Sequence, residues 1–171
     1  LKATNSTFGV QVSQSGAGRY RVINNMGTWA GFEQMQQERL ARSGTFPRSI
    51  PESVDHLTHT VVRTRPDLAY SPDNPRVAQG EFGFIKYFFW YTYPGTGQEA
   101  EDILRRNSEL RRSLGLGTPM IVTQTVMGPD SPMWLLRFHY RVIEDFYRTN
   151  AEEIAAMGQD FQEQLAEFSP L

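Results

Sequence analysis

The sequence contains no cysteine, and this absence removes several kinds of chemistry at once. A chain without thiols forms no disulfide, binds no metal through thiolates and has no cysteine nucleophile. An excess of charge of one sign is also missing, because the formal net charge is −2 and no block of like charges occurs. The chain therefore lacks the electrostatic footprint of a protein that binds nucleic acid or an anionic membrane surface.

Long hydrophobic runs and cofactor motifs are missing as well. The longest apolar run, residues 82–93, contains Lys86 and is too short to cross a bilayer as a helix, so no membrane span is predicted. The glycines at 16–18 lead into a predicted strand, and those at 95–97 lack the lysine of a phosphate-binding loop. No predicted helix contains a histidine to hold haem. We therefore predict no cofactor.

Aromatic side chains are what the sequence has in plenty. They form 12% of the 171 residues, with 11 Phe, 7 Tyr and 3 Trp, and they concentrate in residues 82–93 and 134–147. We expect the thickest packing in these two segments. Hydrophobic residues at 39% and charged residues at 21% are typical of a soluble globular protein, long enough for one core or for two small fused domains.

Hydrophobic periodicity predicts an α+β fold. Strands are predicted at residues 7–13, 19–24, 56–65, 82–93, 120–127 and 132–140. Helices are predicted from Thr28, as N-cap, to about residue 43, over residues 98–114, and over residues 142–167 with a kink at Gly158. The strand at 82–93 is apolar on both faces, which predicts a central place in its sheet, with helices on one face.

An internal repeat relates the two ends of the chain. When Gly16 is set on Gly128, strand, turn, strand and helix recur in the same order with their apolar positions in phase. Chance similarity of two amphipathic segments is the alternative. The repeat predicts two ferredoxin-like (βαββαβ) halves, residues 1–65 and 81–171, joined by a linker at 66–80.

Each predicted half is incomplete. The first half lacks its opening strand and helix, and the second lacks its closing strand. We therefore expect either that the native protein extends beyond both ends of the sequence or that another chain completes the sheets.

Residues 82–168 carry a resemblance to a known superfamily. An aromatic strand runs into Tyr93-Pro94-Gly95, and Glu99-Ala100-Glu101-Asp102-Ile103-Leu104 opens the next helix. This order resembles the dimeric α+β barrel superfamily, which includes antibiotic-biosynthesis-monooxygenase-like and NIPSNAP-like proteins. The resemblance implies that tandem halves close antiparallel sheets into a barrel with the helices on its outer face.

Arg137 and His139 are the candidate catalytic residues. They occupy alternate positions of one predicted strand and therefore share a face. Facing a barrel interior, they would suit an anionic or enolic ligand, with His139 as the acid or base near neutral pH. The alternative is a polar strand in solvent, or ion pairs between these residues and carboxylates of a neighbouring helix.

Lys86, Trp90 and His59 are weaker candidates for ligand binding. Lys86 interrupts an aromatic strand face, where a buried ammonium needs a carboxylate or a ligand anion, unless it reaches water near the strand end. Trp90 is explained equally by a place in the core. His56 and His59 point to opposite faces of a regular strand, so no metal site is predicted, although His59 has the option of meeting His139 across a barrel.

The sequence is compatible with two functions. The polar candidates are few and scattered, which slightly favours a non-catalytic assembly or interaction protein whose interior is filled with aromatic side chains. The alternative is a small-molecule-binding protein or a cofactor-independent monooxygenase-like enzyme, for which the resemblance implies an aromatic or quinone-like substrate. The partners compatible with these functions are a small hydrophobic or aromatic ligand and a second copy of the chain. A cavity that touches Arg137 and His139 would favour the alternative.

Overall fold

The chain divides into two compact units, Leu1–Leu57 and Thr58–Leu171. The computed structural model describes residues 10–14, 20–24, 27–42, 60–78, 80–128 and 132–168. In the first unit, strands β1 (Val10–Gln14) and β2 (Tyr20–Asn24) pair antiparallel, and helix α1 (Trp29–Arg42) follows. The hairpin and the helix agree with the sequence prediction. His56 and His59 lie outside the described residues.

Helix α1 begins directly after Thr28, the residue predicted to be its N-cap. The side-chain oxygen of Thr28 accepts a 3.1 Å hydrogen bond from the backbone N–H of Gly31. The carbonyl of Thr28 accepts the first helical hydrogen bond, 3.0 Å from the N–H of Phe32. Thr28 therefore satisfies one of the N–H groups that a helix start leaves without a partner, and the N-cap prediction is confirmed.

The second unit is a four-stranded antiparallel sheet with two helices. Its elements are β3 (Val61–Thr64), β4 (Phe84–Tyr91), α2 (Gly97–Ser113), β5 (Met120–Met127), β6 (Met133–Tyr140) and α3 (Ile143–Phe168). The strand order is β3-β5-β6-β4, and each neighbouring pair is antiparallel. The fold is therefore α+β, as predicted. None of the helices among the described residues has the length and apolar character that crossing a bilayer requires.

Strand β4 does not occupy the predicted central place among the described strands. It lies at the end of the order, next to β6, while β5 and β6 take the two inner positions. Burial explains the difference: Trp134 and Leu135, consecutive residues on opposite faces of β6, are 1% and 7% exposed, whereas Phe88 and Tyr91 of β4 are 38% and 56% exposed. An aromatic strand with two apolar faces is thus not necessarily covered on both.

The core lies between one face of the sheet and the two helices. Trp90, Val122 and Leu136 face the helices from three different strands and are almost fully buried. Helix α2 covers them with Ile103 and Leu104, which recur with the other buried residues of that helix at helical spacing. Each such aliphatic side chain contributes about 1.5–3 kcal/mol by leaving water. This packing holds α2 and α3 over the sheet.

The segment predicted as a linker, residues 66–80, is irregular but packed. Leu68, Tyr70 and Val77 are each at most 5% exposed, and Tyr70 forms an isolated β-bridge with Met120. The Tyr70 hydroxyl donates a 2.6 Å hydrogen bond to the carbonyl of Leu116. Prolines and polar residues thus indicate irregular backbone here, but not exposure. The segment and β3 belong to the second compact unit, whereas the sequence assigned β3 to the first half.

Helix α3 is kinked at the predicted glycine. Gly158 has φ 57° and ψ −139°, which is outside the helical region and is accessible mainly to glycine. The kink prediction is confirmed.

Candidate functional site: a cavity beneath the helices

A cavity of about 120 Å³ lies between the sheet and helix α3. Its apolar walls are formed by Phe88, Leu136, Phe138, Ile154, Met157 and Phe161. A protein cavity of about 150 Å³ with walls of this kind holds benzene. The space here is smaller but not closed, so it suits a short branched chain or a single ring that extends into its opening.

Lys86 places an ammonium group at this cavity. It lies in the middle of β4, at an even-numbered position that faces the helices, and it is only partly exposed. Its Nζ lies 5.0 Å from the ring centre of Phe146 and 6.0 Å from that of Phe138. No described carboxylate forms an ion pair with it. Burial, and secondarily the charge of Arg111, lowers the pKa of Lys86 below its ordinary value.

A buried hydrogen-bonded network also borders the cavity. Arg111 on α2 donates from Nη1 to Glu153 on α3 at 3.2 Å and from Nε to Asn107 at 3.0 Å. The other oxygen of Glu153 accepts the backbone N–H of Thr118 at 3.1 Å, and Asn107 donates to Gln164 at 3.0 Å. The network joins the two helices to the loop before β5, and it fixes this wall of the cavity.

The charges of the cavity do not cancel. Glu153 neutralises Arg111, which leaves the ammonium of Lys86 as the uncompensated charge among the described lining residues. The phenol of Tyr140 also lines the cavity, and burial, with the nearby charge of Glu153, raises its pKa to about 12. At neutral pH Tyr140 is therefore a neutral O–H donor. An ammonium and a phenol beside apolar walls are the donors that a small carboxylate needs.

Arg137 and His139 lie on the opposite face of the sheet. They occupy odd-numbered positions of β6, whereas Leu136 and Phe138 face the cavity. The ring of His139 stacks on Phe82 with the centroids 4.2 Å apart. Burial lowers the pKa of Arg137, and burial followed by the charge of Arg137 lowers that of His139. The structure therefore keeps the predicted pair together, but away from the cavity.

Two nitrogens of this pair are buried without a hydrogen-bond partner among the described residues. They are Nε of Arg137 and Nε2 of His139. The alternative interpretation was that these residues form ion pairs with a neighbouring helix. No such ion pair occurs among the described residues.

Trp90, another candidate, does not line the cavity. Trp90 is 5% exposed and packs in the core cluster rather than in the cavity wall. His59 lies outside the described residues. Within the described ranges, no three His, Asp or Glu side chains are close enough to hold a metal ion.

The sequence prediction missed Arg111 and Glu153. Their signal was present, because Arg111 continues the buried stripe Ile103, Leu104, Asn107 and Ser108 at helical spacing. A charged residue on an apolar stripe indicates a buried partner of opposite charge. Which of the many acidic residues is that partner depends on how α3 crosses α2, and the sequence does not specify this.

Comparison with known proteins finds no relative: no protein family, no curated protein and no solved structure matches the chain.

Proposed function

We propose that the protein binds a small amphipathic carboxylate, of the size of a single-ring or short branched acid, in the cavity beneath its helices. Lys86 and Tyr140 receive the carboxylate, and the side chains of Leu136, Ile154 and Met157 contact the ring or chain. The observation that carries this proposal is that a half-buried ammonium without a described carboxylate partner opens on an apolar cavity.

The energetics of Lys86 support the proposal. Removing an ammonium from water is costly unless an anion compensates it, and contact with the aromatic rings of Phe138 and Phe146 compensates only in part. A ligand carboxylate supplies the missing charge. Binding then raises the pKa of Lys86, because a nearby negative charge favours the ammonium form.

The cavity also bears on the choice between the two functions predicted from the sequence. An assembly protein would use its aromatic residues to fill the interior, whereas here aromatic side chains line a space large enough for a ring. Ligand binding is therefore the function we propose. The cavity touches Lys86 rather than Arg137 and His139, so the proposal moves the site to the helix-covered face.

The tandem architecture belongs to the same proposal. The order β4–α2–β5–β6–α3, with β6 between β5 and β4, supports a ferredoxin-like half in the second unit. The hairpin and helix of the first unit support a related half. A single-ring acid is also compatible with the aromatic substrates that the superfamily resemblance implies.

The test compares benzoate with benzamide, which has the same shape but no charge. At 100 times its dissociation constant a ligand stabilises the folded state by about 2.7 kcal/mol, which thermal unfolding detects easily. We expect benzoate to stabilise the protein, Lys86→Met to abolish this effect, and Arg112→Met, which removes an exposed cation of α2, to retain it. Equal stabilisation by benzamide, or undiminished benzoate binding by Lys86→Met, would overturn the proposal.

A direct readout of the same site is available because the chain has only two lysines, Lys2 and Lys86. Reductive methylation with ¹³C-formaldehyde labels both lysine amines and the α-amine, which is recognised by its lower ordinary pKa of about 8, and NMR follows their titration. We expect benzoate to raise the pKa of Lys86 and to leave the Lys2 signal unchanged.

A further inference from the structure

Two basic side chains lie on the sheet face that α2 and α3 leave uncovered. Arg137 and His139 alternate along β6, so their Cα atoms are about 6.6 Å apart along the strand and their side chains leave it in the same direction. In register, Arg137 is flanked by Tyr87 of β4 and Ile121 of β5, and His139 by Ile85 of β4.

The three strands β4, β5 and β6 place no described acid on this face that would neutralise the pair. The odd-numbered positions of β4, β5 and β6 hold aromatic, aliphatic, threonine and methionine residues besides Arg137 and His139, and none of them is Asp or Glu. Tyr87 is the titratable group beside Arg137, and Phe82 stacks on His139. The positive charge of Arg137 is therefore uncompensated by any carboxylate of this face.

Two buried nitrogens of the pair, Nε of Arg137 and Nε2 of His139, have no hydrogen-bond partner in the part of the chain that the structure describes, although native proteins pair most buried polar groups. Both residues remain partly exposed, so that an ion from solvent can contact them at their exposed atoms, beside the two buried nitrogens.

We infer that Arg137 and His139 together bind one oxyanion group, a phosphate or a carboxylate, at a site separate from the Lys86 cavity. A guanidinium presents several N–H donors in a fixed plane and engages two oxygens of such a group. His139, protonated in the complex, donates to a further oxygen from the position two residues along the strand. Phe82 and Tyr87 provide aromatic surface beside the anion.

The test uses the whole chain, with inorganic phosphate and acetate as separate probes. We follow the three histidines by ¹H–¹⁵N NMR, assigning His139 by its loss in His139→Gln. Phosphate or acetate is expected to shift the His139 resonances saturably and to raise its pKa. The probe with the lower dissociation constant identifies the oxyanion source.

Variants separate this site from nonspecific charge effects. Arg137→Gln is expected to weaken binding at least tenfold, whereas Arg141→Gln, which removes an exposed arginine just beyond β6, leaves binding unchanged. Lys86→Met should also bind as the parent does, since it alters the other face. Far-UV circular dichroism checks that each variant is folded.

The inference is overturned if neither probe moves the His139 resonances of the parent protein, a result that needs no variant. It is also overturned if Arg137→Gln binds as tightly as Arg141→Gln, or if chloride at equal ionic strength produces the same shifts. Loss of benzoate binding together with intact phosphate binding would refute only the Lys86 proposal, so that the two failures are distinguishable.

Discussion

The carboxylate of Glu153 on α3 accepts a 3.2 Å hydrogen bond from the guanidinium of Arg111 on α2, and the side chains are only 5% and 7% exposed. The carbon at the centre of the guanidinium also lies 5.1 Å from the ring centre of Phe138. A charge pair at this depth stabilises the fold only while both members are present, because either one alone is a buried charge without a partner. The pair therefore forms a buried polar contact between the two helices beside the cavity.

Glu153→Gln should strongly destabilise the protein. The glutamine has one acceptor oxygen where Glu153 serves both Arg111 and the backbone N–H of Thr118, and its amide N–H₂ opposes one of these donors. We expect a loss of about 3 kcal/mol in the free energy of unfolding, measured by urea denaturation.

Glu152→Gln is the matched control, one residue earlier on the same helix. Glu152 pairs with Arg76 at 2.9 Å, but the two side chains are 50% and 42% exposed. The control should cost less than about 0.5 kcal/mol. If both variants lose a similar free energy of unfolding, the buried Arg111–Glu153 pair contributes no more to stability than the exposed pair of Glu152.

Arg65 forms a second polar cluster, on the side of the sheet near β3. Its guanidinium contacts Glu101 at 2.6 Å and Asp67 at 2.7 Å and lies 5.6 Å from the ring centre of Trp134. The hydrogen bond from Arg65 is the main cause that lowers the pKa of Glu101 below its ordinary value. The cluster joins α2 to the irregular segment that follows β3.

Acid should weaken this cluster. Because the folded-state pKa of Glu101 is below the unfolded value of 4.5, its contribution to stability is fully present above pH 4.5 and is lost as the pH falls through the folded-state pKa. Glu101→Gln should cost about 1 kcal/mol at pH 7, a modest value since the side chain is 23% exposed.

The difference between Glu101→Gln and the parent should shrink toward pH 3 in urea titrations. Asp102→Asn, which disrupts the exposed pair of Asp102 with Arg105, is the control and should change stability little at pH 7. A pH-independent difference for Glu101→Gln would contradict the linkage.

Lys86→Met should stabilise the ligand-free protein at pH 7 while it removes carboxylate binding. Burial lowers the folded-state pKa of Lys86, so the cost of its charge is present at neutral pH and disappears as the pH rises above the unfolded value of 10.5. Methionine keeps contact with the rings of Phe138 and Phe146 without the charge. We expect a gain of about 0.5–1 kcal/mol in urea denaturation.

The gain from Lys86→Met should vanish near pH 11, where the parent lysine is neutral in both states. A loss of stability at pH 7 would instead show that the contacts of the ammonium with the aromatic rings outweigh its desolvation.

Local chemistry made several elements predictable from the sequence. Strand β5 was predicted with its observed limits, Met120–Met127, since a helix stop precedes it and a turn signal follows. Thr28 and Gly158 were predictable because a cap and a kink each depend on one residue and its immediate neighbours. These features can be predicted without knowing which residues pack against them.

The features that depend on packing were harder to predict. The apolar faces of β4 did not identify its place beside β6, because strand order depends on which edges pair. The prolines of residues 66–80 concealed the burial of Leu68 and Tyr70. Arg137 and His139 were correctly placed on one face, since strand alternation is local, but the cavity opened on the other face beside Lys86.

Gly83, just before β4, is a position where even one methyl group is expected to be costly. A Cβ built on it lies 2.7 Å from the backbone carbonyl oxygen of Arg141, closer than real Cβ atoms approach an oxygen. The N–H of Gly83 donates to the same oxygen at 3.0 Å and to the carbonyl of Tyr140 at 3.2 Å. Gly83→Ala must therefore separate two backbones that hydrogen bonds hold together at the end of the β4–β6 pair.

We expect Gly83→Ala to lower the free energy of unfolding by about 1–3 kcal/mol in urea denaturation, because the contact is with backbone and not with a flexible side chain. Gly97→Ala, at the first residue of α2, is the matched control. A Cβ there meets no atom within 4 Å, so alanine should stabilise the protein by about 0.4–1 kcal/mol by restricting the unfolded chain. If both alanine variants are more stable than the parent, the backbone near Arg141 accommodates a Cβ at position 83, and the prediction is wrong.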